Sequence, residues 1–338
     1  MSIRELLLGE VGRTYTGFSY SILTEGGVVE SGYGGITEEG GEPVDEGTLF
    51  DLASLTKPIV TATLAGQLIA KGSISLRHPL SLLLPEFRVG DKVGITVGTA
   101  LNHTSGLPAW IPLYKRARNV DEALKVIVQT PLSYPTGTRE IYSDLGYITL
   151  GRFLEVELGE TLDYAAKLHI FDPLGMGETL YRPDPGKFRI VLTERFQWRP
   201  WGPGLVHDEN CFHLGGVTGH AGLFSNLRDL ERYALGLLKR SSVFPREAMD
   251  MFQDRSNVKI GGEHSYGWFV KVSHNSTFGS RTSFRTIGHT GFTGTGMWID
   301  LEKGVASILL TNRVYYGRDP SRIQEVRRKF NELAFSLG

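Results

Sequence analysis

Ser54 and Lys57 stand three positions apart in Phe50-Asp51-Leu52-Ala53-Ser54-Leu55-Thr56-Lys57-Pro58, at the mouth of an expected helix. Residues Ile59 to Ala70 carry apolar positions Ile59, Ala62, Leu64, Leu68 and Ile69, the pattern of a buried helix. Proline is tolerated only in a first helical turn, so Pro58 sets the start at about Ser54. Residues i and i+3 share a helix face, which lets the Lys57 amine reach the Ser54 hydroxyl. Free amides and the positive end of the helix dipole favour negative charge developing there. A serine becomes a nucleophile when a neighbour takes its proton, and a desolvated lysine can do so. Taken alone, the pair also reads as a helix cap beside a surface lysine.

Two later segments offer partners. Tyr142 and Asp144 lie two apart in a turn-rich approach to a helix, Pro135 to Tyr147. A phenol held between lysine and serine can relay a proton, and a carboxylate beside the lysine can orient its amine. The plainer account is a packed aromatic next to a Ser143 or Asp144 helix cap. Gly288-His289-Thr290-Gly291-Phe292-Thr293-Gly294-Thr295 is expected on or beside a strand. Its glycines admit close approach of a backbone or ligand, and an edge strand there offers amides to a substrate carbonyl. A satisfied histidine followed by a flexible turn is the alternative.

The elements that must position these groups follow from periodicity. Ser2 to Gly9 reads as a short amphipathic helix, and Thr16 to Leu23 with Val28 to Tyr33 as a hairpin across Thr24-Glu25-Gly26-Gly27. Gly32 to Gly35 reads as a turn; no Gly-Lys-Ser/Thr follows, so it is not a phosphate loop. From Gly72 to about Leu230 short helical patterns dominate: Leu80 to Leu84, Thr96 to Asn102, Val120 to Gln129, Tyr147 to Leu158 and Leu162 to Ile170. Strands return at Tyr266 to Val272, Ser283 to Gly288, Thr295 to Asp300 and Val305 to Thr311, and Pro320 to Leu337 closes the chain as a helix. The order predicts an α+β fold: an antiparallel sheet built from both chain ends, flanked by terminal helices, with a mostly helical inserted region. The expected division is a sheet region of residues 1–70 and 231–338 and a helical region of 71–230, with the active site at their interface.

With 338 residues, 41% hydrophobic and 22% charged, the chain can bury a sizeable core. A formal net charge of -1 gives no general attraction to nucleic acid or anionic membrane. Cys211 is the single cysteine, which excludes an intrachain disulfide. The first ten residues lack a long apolar run and carry acidic side chains, so neither a secretory signal nor a membrane span is expected there, and the predicted setting is cytoplasmic. The sequence carries no signal of oligomeric state.

Ser-x-x-Lys, then Tyr-x-Asp, then His-Thr-Gly, together with Leu101 to Pro108 and Gly215 to Ser225, resemble the serine β-lactamase and penicillin-binding-protein superfamily. The likeness runs over roughly residues 15–335 and is greatest toward the class C β-lactamase-like branch, with its family VIII esterases and D-aminopeptidases. The resemblance implies a β-lactamase/transpeptidase-like fold without cofactor or metal. It implies Ser54 as the acylated nucleophile, Lys57 as principal base and Tyr142 as proton relay. It further implies Ser54 and Phe292 amides as an oxyanion hole, Thr290 and Gly291 along the substrate channel, and orienting roles for Asp144 and His289. Two positions depart from the family pattern. Asp144 stands for the usual asparagine, placing a negative charge near Lys57 that raises its pKa. His289 stands for a lysine that attracts a substrate carboxylate, and a neutral imidazole weakens that attraction.

Val206 to His213 with His220 invites a metal reading, but the spacing matches no standard zinc set and holds one thiol. A structured loop bordering the cleft fits better, with His220 touching substrate and Cys211 a buried small residue rather than a nucleophile. Trp110, Tyr114 and Trp201 either wall an apolar pocket or simply pack. The predicted function is therefore a serine hydrolase that cleaves a small-molecule ester, amide or peptide through a Ser54 acyl-enzyme. The alternatives are a β-lactamase, a D,D-peptidase or D-aminopeptidase, and, from another class, an acyl-trapping sensor without turnover.

Overall fold

The computed structural model describes residues 1–274 and 276–337. Its fold is α+β and centres on a six-stranded antiparallel sheet of order β2-β1-β9-β8-β7-β6. The strands are β1 (Gly17–Thr24), β2 (Gly27–Gly35), β6 (Phe269–Val270), β7 (Thr286–Thr290), β8 (Gly296–Asp300) and β9 (Val305–Thr311). Both chain ends thus build one sheet, with β1 registered on β9 from Phe18↔Thr311 to Thr24↔Val305. A second, three-stranded sheet joins β3 (Phe50–Asp51), β5 (Leu223–Ser225) and β4 (Leu180–Tyr181).

Alternation along the strands fixes what each face covers. Phe18, Tyr20, Ile22, Trp298, Val305 and Leu309 meet the terminal helices Ile3–Leu8 and Ser321–Ala334 through Leu6, Leu7, Ile323, Val326 and Phe330. Met297, Ile299, Ala306, Ile308 and Leu310 join the larger core beneath the helical region. Ser2 starts the first helix with a capping box to Glu5. Among the described residues no helix is long and apolar enough to cross a membrane.

Several expected elements shift. Gly32 to Gly35 is strand rather than turn: a Cβ on Gly32 would lie 2.8 Å from the Tyr20 ring and one on Gly34 2.9 Å from Phe18, so these glycines make room for aromatic neighbours on β1. The run Tyr266 to Val272 pairs only at Phe269–Val270, and the next strand slides to Thr286–Thr290, taking His289 and Thr290 into the ladder. Of the run Leu80 to Leu84 only Leu80–Leu82 forms a 3₁₀ turn, and Leu162 to Ile170 changes from α to π geometry after Ala166. Helices Leu227–Leu238 and Arg246–Phe252, unforeseen by the patterns above, pack on β1 and β9 and on helix Thr63–Ala70 respectively.

The turn after β7 is locked to the segment before Ser54. Thr293 and Thr295 donate to the Asp51 and Leu52 carbonyls at 2.7 and 3.1 Å. A Cβ on Gly291 would stand 2.4 Å from the Leu52 carbonyl oxygen and 2.2 Å from Thr295 Oγ1. Gly291→Ala is therefore expected to cost about 1–3 kcal/mol, read as a lower thermal unfolding midpoint. An unchanged midpoint would contradict this packing.

Candidate active site

Ser54 sits on a bend held from several sides. The buried Asp51 carboxylate accepts the Ala53 amide at 2.8 Å and the His207 amide at 2.7 Å. Ala53 takes φ 48°, which costs a residue with a Cβ about 1–2 kcal/mol and persists because these contacts fix the turn. Ser54 lies in a 3₁₀ turn (Ala53–Leu55), and the expected α-helix begins instead as a π turn (Lys57–Ala62) before Thr63–Ala70. The Thr63 hydroxyl donates to the Pro58 carbonyl at 2.9 Å and lies 2.9 Å from Tyr233 OH, a tertiary contact that favours the wider turn.

Lys57 is wholly buried. Its Nζ lies 2.7 Å from Asp144 Oδ1 and donates to Ser54 Oγ at 3.0 Å and to the His220 carbonyl at 3.2 Å. The amine also sits over the Tyr142 ring, 4.6 Å from its centroid. Burial pushes the Lys57 pKa down, but the Asp144 carboxylate and Tyr142 outweigh it and the net direction is up. Burial pushes the Tyr142 phenol up against the opposing pull of Lys57. At neutral pH the site rests with a charged amine and a neutral phenol. Ser143, not Asp144, caps helix Asp144–Leu158 by accepting the Gly146 amide, which leaves the Asp144 side chain for Lys57.

Further polar side chains surround this pair. Asp208 caps helix Glu209–His213 through the Cys211 amide at 2.7 Å and lies 2.9 Å from His220 Nε2. Burial pushes the Asp208 carboxyl up, yet His220, the Cys211 amide and Lys57 hold it well below the usual carboxylate range. Asp144, Asp208 and His220 bring ligand-type atoms within 4.8 Å of one another. The Lys57 ammonium, in contact with Asp144 and the His220 carbonyl, supplies positive charge to this group. The His220 ring is engaged at both nitrogens, by Thr218 and Asp208, so what it gives the site is chiefly its carbonyl. Cys211 is buried, with its thiol donating to the Ala221 carbonyl, and burial raises its pKa well above the usual range.

Behind Tyr142 lies a cluster of imidazoles. His103 lies against Tyr142 with centroids 4.5 Å apart and planes tilted by 35°, and its Nδ1 accepts the Ser143 amide at 3.0 Å, which requires the neutral ring. Burial and nearby positive groups keep the His103 pKa well below its ordinary value. His289 Nδ1 donates to the Thr290 carbonyl at 3.0 Å, and burial and Lys57 likewise keep this ring neutral.

Ser54, Tyr142, Asp144, His220 and Phe292 share one cavity of about 250 Å³. His289 and Thr290 line a separate cavity that also touches Phe269 and Arg327. Trp110, Asp208, Glu209 and Arg318 also line the first cavity. Arg318 had no signal in the sequence: it follows β9 in an irregular segment and reaches the cleft because Glu194 grips it at 2.7 and 2.9 Å. Burial pushes the Glu194 carboxyl up, but Arg318 and His207 hold it at about 2.

Comparison with known proteins shows the family and the fold. The Beta-lactamase family model matches residues 10–330. The chain belongs to the β-lactamase family. An N-acetylmuramyl-L-alanine amidase of Bacillus subtilis is 32% identical over 302 residues, covering 79% of this chain and 68% of the relative. A putative D-alanyl-D-alanine carboxypeptidase of Escherichia coli K12 is 31% identical over 309 residues, covering 79% and 69%. The fold is shared with the octameric penicillin-binding protein homologue from Pyrococcus abyssi (TM-score 0.78, 21% identity, 99% of this chain and 77% of that one). It is shared also with EstCE1, a hydrolase with promiscuous acyltransferase activity (TM-score 0.79, 19% identity, 98% and 97%), and with a class C β-lactamase in complex with cefoxitin (TM-score 0.80, 20% identity, 99% and 97%). This β-lactamase-family protein is a hydrolase, and its relatives fit a serine hydrolase acting on an ester or amide.

Removing the Asp144 charge takes away the largest influence raising the Lys57 pKa. In Asp144→Asn the ascending limb of kcat/KM against pH, measured on a neutral ester, is expected to move to lower pH. A limb that stays in place or moves up would contradict the ion-pair assignment.

Proposed function

We propose that the chain hydrolyses small amides or esters by a ping-pong cycle in which Ser54 is acylated. The observation that carries this reading is the 3.0 Å contact between Ser54 Oγ and a buried Lys57 that also pairs with Asp144. The Ser54 oxygen bonds to the substrate carbonyl carbon as the C–N or C–O bond breaks, and the leaving group departs with the serine proton. Water then cleaves the ester, restoring the hydroxyl and releasing a carboxylic acid. Because amine and phenol both rest protonated, the competent base is the minor form in which the Lys57–Tyr142 pair has lost one proton. Lys57 receives from Ser54, and Tyr142 passes the proton to the leaving group.

The backbone amides of Ser54 and Phe292 would hold the oxyanion, a contribution of about 3 kcal/mol per donor in comparable sites. The Gly291 carbonyl, on the same peptide as the Phe292 amide, accepts from Arg327 Nη2 at 2.7 Å, which steadies that peptide. Thr290 and Gly291 would align the substrate along β7, while His220 and Asp144 hold the Lys57 amine and His289 backs Tyr142. The sheet region of residues 1–70 and 231–338 and the helical region of 71–230 are the proposed units, with this site between them and the cytoplasm as setting. Relatives named amidase and carboxypeptidase support amide substrates.

A D,D-peptidase or β-lactamase reading is favoured by one feature: Arg318 brings a guanidinium to the Ser54 cavity, where it can pair with a substrate carboxylate.

Two variants test the cycle. Ser54→Ala should lose roughly 10³-fold or more of chromogenic ester turnover and should take no fluorophosphonate adduct by intact mass. An adduct on the variant would refute the nucleophile. Tyr142→Phe should lower kcat more than it alters KM, and unchanged kcat would remove the relay.

A further inference from the structure

Three arginines are buried among the described residues: Arg199, Arg313 and Arg327. Carboxylates bear on the first two, Glu209, Asp51 and Asp208 on Arg199, and Asp319 and Glu194 on Arg313. Arg327 makes no ion pair with a described residue, and the charge that bears on it is that of Arg313. Its Nη2 donates to the Gly291 and Thr295 carbonyls, each at 2.7 Å. Its Nε is buried without a partner, and no protein group among the described residues takes Nη1. Burial and Arg313 lower its pKa to about 9, which still leaves the guanidinium charged at neutral pH. A buried charge without a counter-charge is costly, and two neutral carbonyls offset only part of that cost.

Arg327 lines the cavity of about 540 Å³ between helix Ser321–Ala334 and β7, and none of Ser54, Lys57, Tyr142 or Asp144 borders it. Phe269, Phe278 and Trp298 give this cavity an aromatic wall, and Gln324 and Arg328 are exposed on its lining. Two acids also border it, Glu263 and Glu325; both are exposed, and Glu325 pairs with Lys329 at 2.7 Å. A neutral apolar ligand would use the rings and leave the guanidinium unmatched. A phosphate group carries up to two charges and wants several donors, whereas the cavity offers one buried cation and two acids. A single carboxylate on an apolar body uses both features: one oxygen accepts from the guanidinium while the body lies against the rings.

We propose that this cavity is a second ligand site, separate from the Ser54 cavity, for a small carboxylate on an apolar or aromatic body, with Arg327 Nη1 as the donor to its oxygen. Ser54 plays no part in it, so the site stands independently of the acyl-enzyme cycle. Isothermal titration calorimetry on the full chain compares phenylacetate, its neutral counterpart 2-phenylethanol, and inorganic phosphate. Phenylacetate is expected to bind roughly tenfold or more tightly than either, the size of one charge-assisted hydrogen bond. Arg327→Gln, whose amide can still donate to a backbone carbonyl, should lose that preference. Gln324→Trp, a change at an exposed position that fills the cavity mouth, should weaken phenylacetate binding while the thermal unfolding midpoint holds, and it is read even if Arg327→Gln fails to fold. Absence of phenylacetate binding, equal affinity for 2-phenylethanol or phosphate, or phenylacetate binding unchanged in Gln324→Trp would each overturn the site.

Discussion

A single buried ammonium organises the active region of this molecule. Lys57 has no access to solvent, so its charge persists only because Asp144 lies 2.7 Å away and the His220 carbonyl and Ser54 hydroxyl take its remaining donors. Such a pair is weak evidence of net stability, but breaking it by removing one partner typically costs about 3–5 kcal/mol, because the other charge is left uncompensated. Around it the structure commits three distant segments to one place: the bend at Ala53, the start of helix Asp144–Leu158, and the loop before β5 that carries His220.

The same constraint explains features that look costly in isolation. Ala53 adopts a left-handed backbone, Asp51 is buried with its carboxyl pushed up by desolvation, and two histidines beside Tyr142, His103 and His289, are kept neutral. Each fixes the position or charge of a neighbour of Lys57. A protonated imidazole there would compete with Lys57 for Asp144, so burial of His103 and His289 protects the one positive charge the site uses. Asp208 and Glu194, both held low by their partners, keep the loop around His207 and His220 tied through ion pairs that weaken as pH falls through their native titration.

Much of this was legible in the chain. Spacing placed Ser54 and Lys57 on one face, the turn-rich approach placed Tyr142 and Asp144 before a helix, and long alternating runs marked β1, β8 and β9. What periodicity missed had physical reasons. Strands β3, β4 and β5 are two or three residues long, too short for a repeat to show. The π turn at Lys57 depends on Thr63 and Tyr233, brought together only by the fold. Gly32 and Gly34 read as turn residues but serve to seat Tyr20 and Phe18. Arg318 enters the cleft through Glu194, a partner far away in sequence, so no local pattern announced it. Membership in the β-lactamase family, recognised from three short motifs, agreed with the family model and the relatives.

The charge state of Lys57 is the direct test of the whole account. With ¹³C-labelled lysine, the Lys57 Cε resonance can be followed through an alkaline titration of the folded enzyme. Its midpoint is expected above that of a free lysine side chain, held there by Asp144 against the opposing effect of burial. A midpoint below the free value would mean that desolvation wins, that the amine rests neutral, and that the ion pair at the centre of this description is not what holds the site together.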